Sequence, residues 1–433
     1  MSLHYFVDPF GCVKNQVDAE NMMAHLNSAG WKCSSDAETA DLIIVNSCGF
    51  IDSAKQESIN AVLGWRKLYP GKKILLAGCL TQRYAKDLAE ILPEADGLFG
   101  VENIADITNA AAKTMNKTNA AAALANISAG SKLQTGERPL LSLPGSAYIK
   151  ISEGCNNRCS YCAIPLIRGS LVSRSIPDIL DECRIILKRG IKELCIIGQD
   201  IGSFGSGLPE LLQAISAFEG HFWVRLLYMH PDNFPLQILD IMERDKRFLP
   251  YFDIPFQHAS VKILSVMNRK GSAEKYLALL ETIRTRLPDA VIRSTFLLGF
   301  PGETEEDFAA LLDFQEKAAL DWLGCFTWSR EEGTAAYSMK GRVAAKTAAA
   351  RKQIIEERQI PITEKNMDRF AGKALEVLVE EQVDEELALG RLYCHAPEID
   401  GAAVIVGKCP QPGKLIQCKV IARRGIDLEV KIE

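Results

Sequence analysis

Short apolar runs alternate with amphipathic segments along most of this chain. Between residues 4 and 115 the runs are HYFVD, DLIIVN, KILLAG and GLFGV. Apolar runs this short, separated by segments of helical periodicity, predict buried parallel strands joined by helices. Met22, Met23 and Leu26 show helical spacing, and Gly30 follows as a typical helix stop. The first region is therefore predicted to be an open parallel α/β sheet.

The same alternation returns between residues 147 and about 330. The predicted strands there are AYIKI, ELCIIG, WVRLLY, FDIPF, VIRSTFLL and WLGCFTW. The predicted helices lie at 177–189, 235–247, 272–286 and 304–319, and a charged helix follows at roughly 344–370. Repeated β–α units in this number favour a partial (βα)6 barrel over a doubly wound sheet, although periodicity alone does not separate the two.

Two further regions differ in pattern. Residues 116–145 are rich in small, polar and helix-breaking residues, which predicts a linker with one short Ala-rich helix. The C-terminal part contains short apolar runs broken by Gly, Pro and Asp, namely ALEVLVEE, LALGRLYC, AAVIVG, LIQCKVIA and IDLEVKI. This pattern predicts a small antiparallel β-barrel, similar to an OB-fold. The predicted domains are 1–115, 146–368 and 369–433, with the linker at 116–145.

Composition excludes several classes of protein. The net charge of −5 does not favour a large basic surface for nucleic acid. No apolar run reaches the length of a membrane-spanning helix, and no signal peptide is recognised, so a cytoplasmic protein is expected. Thirteen cysteines in such a chain indicate metal binding or catalysis rather than a disulfide framework.

Three cysteines are closely spaced in SEGCNNRCSYCAIP, at Cys155, Cys159 and Cys162. The loop follows the first strand of the middle region, and the carboxyl ends of barrel strands are where βα barrels place their active sites. Three thiolates on a four-iron cluster leave one iron without a protein ligand, where a substrate or cofactor can bind. A zinc site with a distant fourth ligand and three unrelated core cysteines are the alternatives, and the spacing favours the cluster.

This loop, with Tyr161 before its third cysteine, resembles that of the radical S-adenosylmethionine (SAM) superfamily. The resemblance implies that SAM chelates the open iron of a 4Fe–4S cluster and is cleaved to a 5′-deoxyadenosyl radical. It also implies that Tyr161 lies against the adenine. Two loops after predicted strands, with Gly198 and Gln199 in GQD and Gly299 in LLGFPGET, suit a SAM pocket. Arg293, on the fifth predicted strand, is a further candidate, with a solvated or ion-paired arginine as the alternative.

A second set of three cysteines lies in the first region. Cys12, Cys48 and Cys79 each follow a predicted strand, so the three are expected at one edge of the sheet, where α/β proteins bind ligands. The remaining cysteines show no grouping and are expected to be core or surface residues. They are Cys33, Cys183, Cys195, Cys325, Cys394, Cys409 and Cys418.

Two incomplete iron–sulfur sites followed by a terminal barrel resemble the methylthiotransferase family over nearly the whole chain. The resemblance implies an N-terminal methylthiotransferase domain, a radical SAM domain and a C-terminal TRAM domain. It implies that Cys12, Cys48 and Cys79 hold an auxiliary 4Fe–4S cluster that delivers a methylthio group. The radical formed at the other cluster would abstract hydrogen from the substrate, with electrons from a low-potential donor such as flavodoxin.

The family divides between enzymes that modify tRNA adenosine and one that modifies an aspartate of small-subunit ribosomal protein twelve. Several segments resemble the second branch: NSCGFIDSAKQES, AGCLTQRY, SEGCNNRCSYCAIPLIRG, DIPFQHAS and EEGTAA. Residues 369–433 carry nine Lys and Arg against eleven Asp and Glu, a net charge of −2, which suits a basic protein better than RNA phosphates. The alternatives are a tRNA methylthiotransferase and a non-catalytic iron–sulfur protein that binds ribosomes or RNA.

Overall fold

The computed structural model describes residues 3–116, 137–205, 207–408 and 410–433. Most of the predicted linker, its predicted Ala-rich helix and Cys409 lie outside these residues. The chain divides into two compact units that are interleaved in sequence. Unit 1 comprises Met1–Leu141, Ser152–Arg174 and Ser329–Tyr337, and unit 2 comprises Ser142–Ile151, Ser175–Trp328 and Ser338–Glu433. The domain boundaries predicted from the sequence stay a prediction.

Unit 1 contains a five-stranded parallel sheet with helices on both faces. Its strands are β1 (His4–Pro9), β2 (Lys32–Cys33), β3 (Leu42–Ser47), β4 (Lys73–Gly78) and β5 (Gly97–Phe99), in the order β2-β1-β3-β4-β5. Its main helices are α1 (Val13–Ser28), α2 (Asp52–Leu68), α3 (Cys79–Ile91) and α4 (Ile107–Asn116). Every residue of β3 is buried, because hydrophobic clusters cover both faces of the sheet. The open α/β sheet predicted for this region is confirmed.

A smaller part of unit 1 is formed by residues from the middle of the chain. The strand β6 (Ser146–Lys150) belongs to unit 2, and the chain then enters unit 1 for the segment Ser152–Arg174. This segment contains the strands β7 (Ser152–Glu153) and β8 (Val172–Ser173) and the helix α5 (Ile164–Arg168). The strands β7 and β8 pair in antiparallel fashion. This pairing closes the base of the segment that carries Cys155, Cys159 and Cys162.

Unit 2 is built on a six-stranded parallel sheet. Its strands are β6, β9 (Glu193–Ile197), β10 (Trp223–Leu226), β11 (Phe248–Asp253), β12 (Val291–Leu298) and β13 (Trp322–Thr327). The helices are α6 (Ile176–Lys188), α7 (Leu208–Ser216), α8 (Ile238–Arg244), α9 (Val261–Val266), α10 (Ala273–Arg286), α11 (Glu305–Ala318) and α12 (Ala345–Met367). The strands lie side by side in sequence order, β6 to β13, without closing. This is the predicted partial barrel, because a doubly wound sheet would reverse its strand order.

The C-terminal residues of unit 2 form a closed five-stranded barrel. Its strands are β14 (Ala374–Gln382), β15 (Leu387–Arg391), β16 (Ala403–Val406), β17 (Leu415–Arg424) and β18 (Asp427–Ile432), in the order β14-β15-β16-β18-β17. The predicted OB-like barrel is confirmed, with one difference. The pair β16–β18 is parallel, whereas the sequence predicted an antiparallel barrel throughout. Because β17 lies between them in sequence, β18 can return beside β16 in the same direction.

Buried ion pairs join this barrel to the six-stranded sheet within unit 2. Arg391 Nη2 donates to Glu193 Oε2 at 2.5 Å, and Arg225 Nε donates to Glu193 Oε1 at 2.7 Å. All three residues are almost fully buried. Burial would raise the pKa of the Glu193 carboxyl, but the two guanidinium groups outweigh it and hold the pKa well below its usual range. Loss of any one partner would leave an uncompensated buried charge.

Among the residues described, none of the helices combines the length and the apolar character needed to cross a membrane.

Candidate active site

The first set of cysteines lies at the carboxyl ends of three neighbouring strands. Cys12 follows β1 and precedes the first residue of α1, Cys48 directly follows β3, and Cys79 directly follows β4 as the first residue of α3. The strands β1, β3 and β4 are parallel neighbours. Their carboxyl ends therefore meet at one edge of the sheet, and the three cysteines lie there together.

Glycines let the three cysteine-bearing loops approach one another. Gly11 has φ +89°, and a Cβ at this position would lie 3.0 Å from Cys48 Cβ. A Cβ at Gly49 would lie 2.7 Å from the carbonyl oxygen of Cys79. The distance at Gly49 does not accommodate a side chain, and at Gly11 the tight contact adds to a positive φ that disfavours one, so both positions favour glycine.

Two polar side chains organise the cysteine edge. Asn15, on α1, donates through Nδ2 to the carbonyl oxygens of Phe10 at 2.7 Å and Ser47 at 3.2 Å. Arg168, at the end of α5, donates through Nη2 to Cys79 Sγ at 2.9 Å. Cys79 Sγ in turn donates to Asn15 Oδ1 at 3.6 Å. Sequence reasoning missed both residues, although Asn15 lies three residues after Cys12 and Arg168 lies six residues after Cys162.

The thiols of this set differ in environment. Burial raises the pKa of Cys79 to about 12, although the Arg168 charge opposes that shift. Desolvation by the surrounding protein would raise the pKa of Cys12 as well. The positive charges of Lys14 and Arg168 have the larger combined effect, so the pKa of that thiol is lowered. The charges of Cys12 and Cys48, when these thiols are ionised, add to the rise in the pKa of Cys79.

The second set of cysteines occupies the loop between β7 and α5. Gly154 has φ +74°, and the amide of Cys155 donates to the carbonyl oxygen of Gly169 at 3.2 Å. The amide of Cys162 donates to the carbonyl oxygen of Cys159 at 3.0 Å. All three cysteines are partly exposed, as is Tyr161. The loop is thus held by its own backbone, with its thiols accessible.

A third segment, Ser329–Tyr337, contacts both cysteine loops within unit 1. The amide of Ala336 donates to the carbonyl oxygen of Ser160, between Cys159 and Cys162, at 2.8 Å. Arg83 donates to the carbonyl oxygen of Gly49, beside Cys48, at 3.0 Å and to that of Glu332 at 2.6 Å. The EEGTAA motif lies in this segment, but its sequence gave no indication of such contacts.

The glycine loops predicted for SAM binding follow strands of unit 2, and each is shaped by a buried carboxylate. Gly198 and Gln199 follow β9, and the next residue, Asp200, accepts four hydrogen bonds, from Gly202, Ser203, His230 and Asn233. Gly299 follows β12 with φ +73°, and its amide donates to Glu303 Oε2 at 2.7 Å. Sequence reasoning missed Asp200 and Glu303.

Arg293 is held in ion pairs within unit 2. Its guanidinium lies 3.3 Å from Asp253 Oδ1 and 3.5 Å from Asp400 Oδ1, the latter in the C-terminal barrel. These ion pairs fix the orientation of the guanidinium, and the predicted contact of Arg293 with SAM stays a prediction.

The donor set fits iron–sulfur clusters. Within the described ranges, no three His, Cys, Asp or Glu side chains converge on one point as the ligands of a single metal ion do. In a four-iron cluster each thiolate binds a different iron, so its ligands surround a larger volume. Each set offers three thiols, so each would leave one iron of such a cluster without a protein thiolate.

Comparison with known families divides the chain into three matched regions. Residues 4–100 match the uncharacterized protein family UPF0004, residues 149–314 match the radical SAM superfamily, and residues 371–432 match the TRAM domain. A solved structure of similar fold is the radical SAM methyltransferase TsrM from Kitasatospora setae, with a TM-score of 0.59. It is 14% identical and covers 78% of this chain and 75% of its own, a likeness that concerns the fold alone.

Curated relatives cover nearly the whole chain. The ribosomal protein uS12 methylthiotransferase RimO of Treponema denticola is 48% identical and covers 98% of this chain and 99% of its own length. The enzyme of the same name from Aquifex aeolicus is 38% identical over 96% of this chain and 94% of its own. At this identity and coverage, the chain belongs to the family of ribosomal protein uS12 methylthiotransferases, within the radical SAM superfamily.

Proposed function

We propose that this chain attaches a methylthio group to the β-carbon of an aspartate in ribosomal protein uS12, the small-subunit ribosomal protein twelve. The observation that carries the proposal is the presence of two three-cysteine sets in one compact unit of a chain from this family. A binding protein without catalysis would not need two sets of thiols that each leave an iron open.

Each set has a distinct proposed role. Cys155, Cys159 and Cys162 hold a 4Fe–4S cluster that binds SAM, and the first set, Cys12, Cys48 and Cys79, holds an auxiliary 4Fe–4S cluster. When bound, these groups supply reductive cleavage of SAM to a 5′-deoxyadenosyl radical and the sulfur that is transferred. The SAM contacts predicted for Tyr161, Gly198, Gln199, Gly299 and Arg293 stay predictions, as do a cytoplasmic location and a flavodoxin-like electron donor.

The remaining task of the protein is to fix the thiols in place. Radical transfer requires the reacting groups to be held at a short distance and in a fixed orientation. The loops that carry the thiols must therefore keep a fixed conformation. Asn15 and Arg168 hold the first set through hydrogen bonds, and the amide of Ala336 holds the second through Ser160. Fixed positioning of this kind is what a preorganised site requires.

Exposed acidic residues on the C-terminal barrel support a protein substrate. The run from Glu376 to Glu386 is not a uniform acidic face, because Glu376 pairs with His221 and Glu380 pairs with Arg391. Glu381 and the residues 384–386 remain exposed at the turn between β14 and β15. Four exposed carboxylates would repel RNA phosphates and would attract a basic ribosomal protein.

Mass spectrometry of candidate substrates tests the proposal. The protein is reconstituted anaerobically with iron and sulfide, then given SAM, a strong reductant and either a peptide with the uS12 aspartate loop or unmodified tRNA. Replacement of hydrogen by a methylthio group adds about 46 Da. We expect this gain on the peptide and none on the tRNA. A gain on tRNA alone would assign the chain to the tRNA-modifying branch, and absence of 5′-deoxyadenosine would indicate a non-catalytic protein.

A further inference from the structure

Arg168 is placed between the two cysteine sets of unit 1. It ends α5, six residues after Cys162, yet its guanidinium is buried and reaches the other set, with Nη2 2.9 Å from Cys79 Sγ. The packing around Cys79 is consistent with this contact, because Ala163 and Ile167, from the same loop and helix, lie in one apolar cluster with Cys79. A residue of the SAM-cluster loop thus contacts a proposed ligand of the auxiliary cluster.

Buried carboxylates hold the guanidinium in this orientation. Arg168 Nη1 donates to Asp18 Oδ2 at 2.5 Å and to Glu153 Oε2 at 3.1 Å. Asp18 belongs to α1, which begins after Cys12, and Glu153 belongs to β7, which precedes Cys155. With Nη1 bound to both carboxylates, Nη2 has little freedom to turn away from Cys79.

A hydrogen bond to a ligand sulfur has a known electronic effect. A positive donor stabilises the more negative, reduced form of an iron–sulfur cluster and therefore raises its reduction potential. Burial of the donor strengthens this effect, because little water screens the charge.

We propose that Arg168 is a positioning residue of the auxiliary cluster: it fixes the Cys79 sulfur and raises the reduction potential of the cluster that this sulfur binds. The inference rests on the proposed function, because it requires a cluster at Cys12, Cys48 and Cys79. It adds a residue of the other cysteine loop to the environment of that cluster.

The test uses the full-length chain with Cys155, Cys159 and Cys162 all replaced by Ala, so that iron binds to the auxiliary set alone. The midpoint potential is measured by a redox titration followed by electron paramagnetic resonance. We expect Arg168→Gln to shift the potential to a more negative value. Arg138→Gln is the matched control, since Arg138 forms a buried pair with Glu20 of α1 at 2.7 Å and is expected to leave the potential unchanged.

The outcomes separate this inference from the proposed function. An unchanged potential in Arg168→Gln at full iron content would overturn the inference alone, whereas a parent protein that binds no iron would overturn the auxiliary-cluster assignment itself. If Arg168→Gln takes up no iron, the iron content and midpoint potential of Arg168→Lys provide the test instead. Iron binding restored by Lys at a potential near that of the parent would support the role of the positive donor. A clearly more negative potential in the Lys variant, or no iron uptake by the folded Lys variant, would contradict it.

Discussion

Arg83 and Glu331 are 248 residues apart in sequence and form a buried ion pair, with Nη1 and Oε2 separated by 2.7 Å. Their side chains are only 5% and 2% exposed. Lys55 approaches the same carboxylate oxygen at 3.1 Å, so one carboxylate pairs with two cations. Because Arg83 also binds the carbonyl oxygen of Gly49, this pair fixes the segment Ser329–Tyr337 against the loop that carries Cys48.

Replacement of Glu331 by Gln should destabilise the protein strongly. The amide keeps the shape of the side chain but leaves Arg83 without its carboxylate partner and Lys55 with only the exposed Asp52. Breaking a buried pair in this way costs about 3 kcal/mol. Denaturant unfolding followed by circular dichroism would measure the loss. Asp313→Asn is the control, because the Asp313–Lys317 pair is about 60% exposed on both sides. Its expected effect is below about 0.5 kcal/mol, and equal losses in the two variants would contradict the structural assignment.

Gly154→Ala should disturb the SAM-cluster loop selectively. A Cβ there would lie 2.3 Å from the carbonyl oxygen of Ser170, and φ of +74° disfavours any side chain. The backbone beside Cys155 must therefore move. We expect loss of the iron bound by this loop together with loss of SAM cleavage, measured as 5′-deoxyadenosine formation.

Gly49→Ala should have the complementary effect. Its Cβ would lie 2.7 Å from the carbonyl oxygen of Cys79, so the contact between two auxiliary-site loops must open. We expect auxiliary iron to fall while SAM cleavage persists. Gly64→Ala on α2 is the control for both variants, because its Cβ meets nothing within 4 Å. If either variant, still folded, lost both SAM cleavage and the iron of the auxiliary site, the result would argue against two separate sites.

Single cysteine replacements should separate the two chemical steps. Cys155→Ala is expected to abolish SAM cleavage, whereas Cys48→Ala is expected to retain cleavage and to lose methylthio transfer to the peptide. Cys33→Ala, an exposed cysteine of the same unit, should leave both intact. If Cys48→Ala transferred the methylthio group to the peptide at the parental level, the proposed role of the first set of cysteines would be wrong.

His395 should make the protein sensitive to acid. Its ring is fully buried, and neither ring nitrogen has a hydrogen-bond partner among the described residues. Burial, with the charges of Arg391 and Arg225 adding to it, lowers the pKa of His395 to about 3. In the unfolded chain the imidazole of His395 is protonated as the pH falls below about 6.5, whereas in the folded chain it stays neutral until the pH approaches 3. The contribution of this histidine to stability is therefore complete above pH 6.5 and is lost as the pH falls toward 3.

His395→Leu should remove this dependence. Each pH unit below about 6.5 costs the parent about 1.4 kcal/mol of unfolding free energy through one differential proton. The variant should lose correspondingly less between pH 6.5 and pH 4.5. Unfolding free energies measured at several pH values give the comparison, and identical slopes for parent and variant would show that His395 does not titrate in this way.

Local patterns in the sequence determined most of the secondary structure. The strands Lys73–Gly78 and Val291–Leu298 coincide with their predicted runs. The first is almost continuously apolar and buried, whereas the second is mostly buried although Arg293, Ser294 and Thr295 interrupt its apolar run. The strand predicted at FDIPF instead spans Phe248–Asp253. Residues beyond its end, such as Ile254 and Phe256, are also fully buried, so hydrophobicity did not mark the end of the strand. The short strand Lys32–Cys33 has two exposed residues and gave no signal.

The sequence also determined which cysteines to group, because three of them share one short loop and three others each follow a strand. Only the tertiary structure decided which polar residues form hydrogen bonds with these cysteines or with the loops that carry them. Arg168 contacts Cys79 across 89 residues, and Glu331 contacts Arg83 across 248. A strand or helix has a period set by its own backbone, which a sequence displays. The partner of a buried charge is set by how distant segments pack, and no local period records it.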